Sequence, residues 1–239
     1  REESMAMYKK ILLGFDFSRG SHTAAKAAIE LAREGEGELA VCTVLTRGID
    51  PGLRQDLLKE GVRPAEVEIA AHVRIADDAL AALKEHDTSG IEKVTYHVYD
   101  GSVDRALLQA AQDIDAELIV VGAVGKHTGD SPAKVGTDTF RLVRRSTIPV
   151  LVIKRDSIFP PNSILAALDG SGASGHALTD VLEIGDELGA EVTALHVREG
   201  DSDGIGAFAL LEAFGSTRAG VKKRIKEGVP HRVITSMGR

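Results

Sequence analysis

The sequence predicts an α/β protein: an open parallel five-stranded sheet sandwiched by helices, followed by a partial second copy of the same unit. Three observations carry this. Short continuous apolar runs such as Ile11–Phe15, Leu39–Leu45 and Leu118–Val121 alternate with longer stretches of helical period, as parallel strands covered on both faces require. The stretch from Ile11 to Ser21 returns as Ile164 to Ser174 at a constant offset of 153 residues, ungapped through Val44 and Val197. The second copy then stops where only part of the first has been repeated.

In the first unit, set at residues 7–155, Ile11 to Phe15 is a strand bounded by the turn residues Asp16 to Gly20. Ser21 or Thr23 caps a helix through Arg33, with Ala24, Ala27, Ala28, Leu31 and Ala32 on one face. Leu39 to Leu45 is the second strand. Thr46 to Pro64 reads as irregular because Pro51-Gly52 and Arg63-Pro64 break it. A helix over Ala65 to Lys84 buries Val67, Ala70, Val73, Ala76, Leu80 and Leu83. Val94 to Tyr99 is the third strand, and a helix from the Asp100–Ser102 turn runs to Asp113. Leu118 to Val121 is the fourth strand, Thr137 to Arg145 a short helix, and Val150 to Ile153 the final strand.

Arg155 to Asn162, with Pro160-Pro161, is the linker to a second unit at 163–239 that holds strands 1–3 only. Its strands are Ile164–Leu168, Val192–Val197 and Arg232–Thr235, with helices over His176–Leu188 and Phe208–Lys226. On this reading Ser236-Met237-Gly238 aligns with Tyr99-Asp100-Gly101. Asp169 then has no glycine loop of its own, the Ile164 strand presents an unpaired edge, and the chain reads as truncated at Arg239.

Composition narrows the function classes. A net charge of -7 argues against general nucleic-acid binding, which needs a basic face. Aromatic residues are 4% with no Trp, so no platform for stacking bases is evident. No apolar run reaches the length of a membrane span, and no leader precedes Met7, so the expected location is cytoplasmic. The one cysteine, Cys42, lies in an apolar strand and reads as a core residue in a reducing compartment. The eight histidines lack metal-site spacing; His97 and His196 read as structural strand residues, and His127 is the one worth testing. Lys222-Lys223-Arg224 with Lys226 reads as a solvated helix face. No Gly-x-Ser-x-Gly elbow is present, so no catalytic residue is assigned.

Open parallel sheets bind ligands beyond the carboxyl ends of their strands, where the strand order reverses. That rule selects Asp16 after the first strand, Val44 at the end of the second, and Val121-Gly122 at the end of the fourth. The loop from Gly122 carries Gly125, Lys126 and Gly136 before Thr137 opens a helix. Glycines let backbone amides approach an anion, a helix start favours phosphate, and Lys126 adds a point charge. Asp16 as an Asx-turn residue and Thr137 as a plain N-cap are the competing structural readings.

At these residues the chain resembles a tandem universal stress protein, of a nucleotide-binding, Rossmann-like α/β superfamily. The resemblance rests on Asp16, on the loop glycines Gly122, Gly125 and Gly136 with Thr137, and on the closing run Arg144 to Ile153. It implies ATP or a related adenine nucleotide, with Mg²⁺ where needed, in the first unit. Asp16 would meet the adenosine part, the Val44 backbone the adenine, and the loop with Thr137 the ribose and phosphates. It further implies a stress-response role without strong turnover, and a homodimer or intrachain pseudo-dimer through the final strand. The alternative is a nucleotide-independent dimeric adaptor or regulatory module. Departures bear on ATP: ten residues separate Gly125 from Gly136, one more than the family pattern, Pro132 stiffens that loop and Asp130 brings a negative charge into it, and Asp138 stands where the ATP-binding branch usually has an apolar residue.

Overall fold

The computed structural model describes residues 8–125, 135–199 and 221–237. The chain divides into two compact units, Arg1–Phe159 and Pro160–Arg239. The first contains β1 (Lys10–Gly14), α1 (Arg19–Glu34), β2 (Glu38–Leu45), α2 (Pro51–Lys59), α3 (Val67–Leu83), β3 (Lys93–Asp100), α4 (Val103–Asp113), β4 (Leu118–Gly122), α5 (Thr137–Arg145) and β5 (Val150–Ile153). Its five strands are all parallel, in the order β3-β2-β1-β4-β5. The chain therefore winds outward on one side of β1 and then on the other, so the order reverses between β1 and β4.

Ile11, Leu12 and Leu13 are all fully buried, as expected of a central strand covered on both faces. Leu12 joins Ala40, Cys42, Leu107, Ile119 and Leu142 in the core beneath α4 and α5, and its two neighbours point to the opposite face. There α1 packs on β1 and β4, its buried Ala24, Ala27, Ala28 and Ala32 permitting close approach.

Several elements differ from the sequence reading. The N-cap of α1 is Ser18, whose side chain accepts from Ser21 N, rather than Ser21 or Thr23. The 46–64 stretch is not irregular throughout. Asp50 caps α2 by accepting from Gly52 N at 2.9 Å and Leu53 N at 3.2 Å, and Pro51 supplies the preset φ of a first helical residue. In α3 the buried residues are Val67, Ala71, Ala79 and Leu83, while Val73 is 56% and Leu80 37% exposed. The packed stripe runs through Val67, Ala71, Ala79 and Leu83, which leaves Val73 and Leu80 toward the outer face.

The second unit contains β6 (Ser163–Leu168), α6 (Gly172–Leu188), β7 (Glu191–Arg198), β8 (Lys222–Glu227) and α7 (Pro230–Met237). Its strands form a parallel three-stranded sheet ordered β6-β7-β8. Lys222–Lys226 belongs to a strand, not to the end of a helix, and Arg232–Thr235 belongs to a helix, not to a strand. The rest of the helix expected over Phe208–Lys226, up to Gly220, lies outside the described residues. Register explains the error: Arg198 pairs with Glu227 as Leu45 pairs with Asp100, so Gly228, not Gly238, is the counterpart of Gly101. Both glycines have positive φ, +119° at Gly101 and +135° at Gly228, and each donates its N–H to the carbonyl at the end of the neighbouring strand, Leu45 or Arg198. Thus α7 is the counterpart of α4. The strand is concealed because all six residues of β8 are exposed and five are charged, a pattern with neither strand nor helix period. Lysines on an exposed outer strand discourage pairing with other chains.

Candidate functional site

A cavity of about 460 Å³ opens beyond the carboxyl ends of β1, β2 and β4, at the point where strand order reverses. Small-molecule sites span roughly 300–1,000 Å³, so the space suits a nucleotide-sized ligand. Of the sequence-selected residues, Asp16, Val44, Val121, Gly122, Gly125 and Gly136 all line it. Thr137 does not, although its neighbours Gly136, Asp138 and Thr139 do. Lys126 and His127 lie outside the described residues.

The β1 side is built by a tight turn. Asp16 Oδ1 accepts from Ser18 N at 3.0 Å, and Phe17 between them is held at φ +62°, a left-handed conformation costly for a bulky residue. Phe17 keeps this strain while its ring meets Phe15 edge-on at 5.1 Å, and both line the cavity. Buried Thr43 on β2 donates its Oγ1–H to the Phe15 carbonyl at 3.0 Å, fixing the two strand ends together. Phe15 also meets His22 edge-on, and His22 Nδ1 shares a proton with His86 Nε2 at 3.3 Å. Burial, then the neighbouring His22 and Lys26, holds His86 below the ordinary histidine range.

Glycine is required by contact at three places here. A Cβ at Gly125 would sit 2.9 Å from Asp16 Oδ2, so a larger residue would displace that carboxylate. A Cβ at Gly122 would meet Gly20 C at 2.9 Å, and one at Gly20 would meet Val124 O at 2.8 Å. Gly122 is therefore explained by the approach of the β4 end to the start of α1, whether or not a ligand is bound.

A further part of the lining is the start of α5. Gly136, rather than Thr137, is its N-cap, and no side chain caps this end. Gly136 N donates to Ala123 O at 2.7 Å, Phe140 N donates to Gly136 O at 2.9 Å, and Thr139 Oγ1–H donates to Gly122 O at 3.2 Å. The first amides of α5 have no partner within the helix and carry its positive dipole end. The helix is anchored elsewhere. Leu142 is fully buried, and Arg145 pairs with Asp104 of α4, a carboxylate only 1% exposed. Arg145 lies in the closing run that marked the sequence, and this ion pair is its structural task.

The sequence reading did not select several residues that line the cavity, among them Phe17, Arg47 and Thr139. Arg47 lies two residues beyond the end of β2, and its position in a strand-end loop was the available signal. Among the described residues no group of three or more His, Cys, Asp and Glu side chains is placed to hold a metal ion. No helix among them is long and apolar enough to cross a membrane.

Fold and cavity together define a Rossmann-like α/β domain with its ligand space at the switch point. The sequence model of the universal stress protein family matches residues 7–154, and the chain belongs to that family. It is 29% identical over 149 residues to Universal stress protein MJ0531 of Methanocaldococcus jannaschii, covering 62% of this chain and 84% of that protein. A universal stress protein from Archaeoglobus fulgidus has a similar structure, with a TM-score of 0.65 and 19% identity over 95% of this chain and 81% of that one. A functionally unknown protein from Pseudomonas aeruginosa is comparable, with a TM-score of 0.62 and 17% identity over 99% and 80%. At those identities the structural likeness speaks for the fold.

Proposed function

We propose that the first unit binds ATP or a related adenine nucleotide in this cavity and acts in a stress-response or regulatory role. The observation that carries the reading is convergence: Asp16 and the uncapped start of α5 border one cavity. Asp16 suits a ribose hydroxyl, as an acceptor already oriented by Ser18 N. The Val44 backbone, at the end of a buried strand, suits the adenine edge. Gly125, Gly136 and the first α5 amides suit phosphate, with Lys126 adding a cation; Thr137 contributes its amide rather than its side chain in this reading. Mg²⁺, if it accompanies the nucleotide, would be held by phosphate oxygens with Asp16 or Asp138 as the available carboxylates. The proposed role is binding without strong turnover, in the cytoplasm.

The test is titration calorimetry of the full chain with ATP. Gly125→Val should lower affinity at least tenfold by pushing the Asp16 carboxylate aside, with the fold intact by circular dichroism. Unchanged affinity in that variant would remove the site. A second reading, a nucleotide-independent dimeric adaptor, is favoured by one observation: β5 is the outer strand of its sheet, and Val150, Leu151 and Val152 are only half-buried. Sedimentation with Val152→Lys distinguishes it, since a β5-mediated dimer would dissociate.

A further inference from the structure

We infer that the cavity sorts adenine ligands by phosphate charge, Asp138 disfavouring a metal-free triphosphate and Arg47 receiving a single phosphate. This rests on the nucleotide reading above and specifies which nucleotide the site takes. The charged residues that line the cavity among the described residues are Asp16, Asp138 and Arg47, two carboxylates against one guanidinium. Asp138 occupies the first turn of α5, where its charge offsets the attraction of the free amides for an anion. Its one ion pair among the described residues is with Arg141 at 3.7 Å, with both side chains more than half exposed, an arrangement too solvated to neutralise it. Asp138 thus repels polyphosphate at the point where the helix start would hold it.

Arg47 stands on the β2 side, in a loop turned by Gly48 at φ +70°. It has no acidic partner among the described residues, so its guanidinium is available to a ligand, and its fork matches phosphate oxygens in pairs. One guanidinium balances one phosphate. Each further phosphate adds charge that Asp138 opposes at the start of α5. At the effective dielectric of a protein surface, two unit charges a few Å apart interact strongly enough to shift affinity about tenfold, and salt weakens this.

The experiment compares adenosine, AMP and ATP by titration calorimetry against the full chain, in EDTA and in Mg²⁺, with Asp138→Asn and Arg47→Gln. The wild-type chain should bind AMP about tenfold more tightly than metal-free ATP, and Mg²⁺ should narrow that gap. Asp138→Asn, which keeps the shape of the side chain, should raise metal-free ATP affinity about tenfold and move adenosine less than twofold. Arg47→Gln should weaken AMP about tenfold and leave adenosine unchanged. If all three ligands bind but Asp138→Asn leaves the ATP-to-AMP ratio unaltered, the charge sorting is wrong and the nucleotide site stands. If none of the three binds, the nucleotide reading falls and the sorting falls with it.

Discussion

The two copies build the same strand–turn–helix unit from the same hydrogen bonds, yet the first carries strain that the second avoids. Asp16 accepts from Ser18 N as Asp169 accepts from Ser171 N, and Ser18 caps Ser21 N as Ser171 caps Ser174 N, all within 2.9–3.1 Å. The bond from Thr43 to the Phe15 carbonyl returns as one from His196 Nδ1–H to Leu168 O, at 2.9 Å. Two left-handed positions differ. The first copy places Phe17 at φ +62° and Glu36 at φ +45°, and the second places Gly170 at +85° and Gly189 at +65°. One close contact differs as well: Gly20 faces the β4 loop, and its counterpart is Ala173. At the turn after the first strand of each copy, what separates the two is therefore the cavity wall; Glu36 lies at the other end of the sheet, outside it. Where a loop and a ligand space press on the turn, residue size and backbone are constrained; where none is described, ordinary turn chemistry suffices.

The largest test of this contrast is Gly20→Ala. Its methyl group would be forced against the Val124 carbonyl, costing the first unit about 2 kcal/mol, whereas Ala173→Gly should cost the second less than about 1 kcal/mol. Cys42 gives a readout confined to the first unit. It is 1% exposed and burial pushes its thiol up to about 12, so it should react with iodoacetamide only when that unit opens. Equal destabilisation by the two substitutions would dissolve the contrast.

Gly170→Ala comes next, with an expected loss of about 1 kcal/mol in urea denaturation, because Ala pays the left-handed penalty that Gly avoids. Glu36→Gly should stabilise the first unit by about 0.5–1 kcal/mol, seen as slower Cys42 alkylation; no change would mean that the exposed Glu36 carries little strain.

The smallest effect is one of pH. Hydrogen bonds from Ser171 and Ser174 hold the Asp169 carboxyl down at about 2. A depressed folded-state value means that its stabilisation is complete above the unfolded value near 3.8 and fades as pH falls toward 2. Asp169→Asn should flatten the acid limb of unfolding between about pH 4 and 2, followed by far-ultraviolet circular dichroism. Because the group is fully exposed, the change should be slight.

Sequence made the central sheet legible because burial on both faces leaves no polar positions in Ile11–Leu13 or Leu118–Val121, and that signal needs no partner to be read. It located the cavity too, since Asp16, Val44 and Gly122 stand at strand ends that topology must bring together. It failed where one residue does two jobs or where charge hides period. Ser18 was passed over as a cap because Ser21 and Thr23 offered the same chemistry a turn later. The charges of β8 mask a strand whose existence depends on pairing with β7. Arg47 and Phe17 are cavity residues by virtue of a backbone turn, which composition does not encode.

The ion pair between Asp104 and Arg145 lies at the far end of α5 from the cavity. Nine helical residues at 1.5 Å each make a strut of about 13 Å, pinned at the end remote from its load. The tilt of the α5 start, and with it the aim of its amides, is thereby governed by a carboxylate that does not line the cavity. A change at the pin alone can thus retune the aim of the α5 start from outside the cavity, leaving every residue that lines it unchanged.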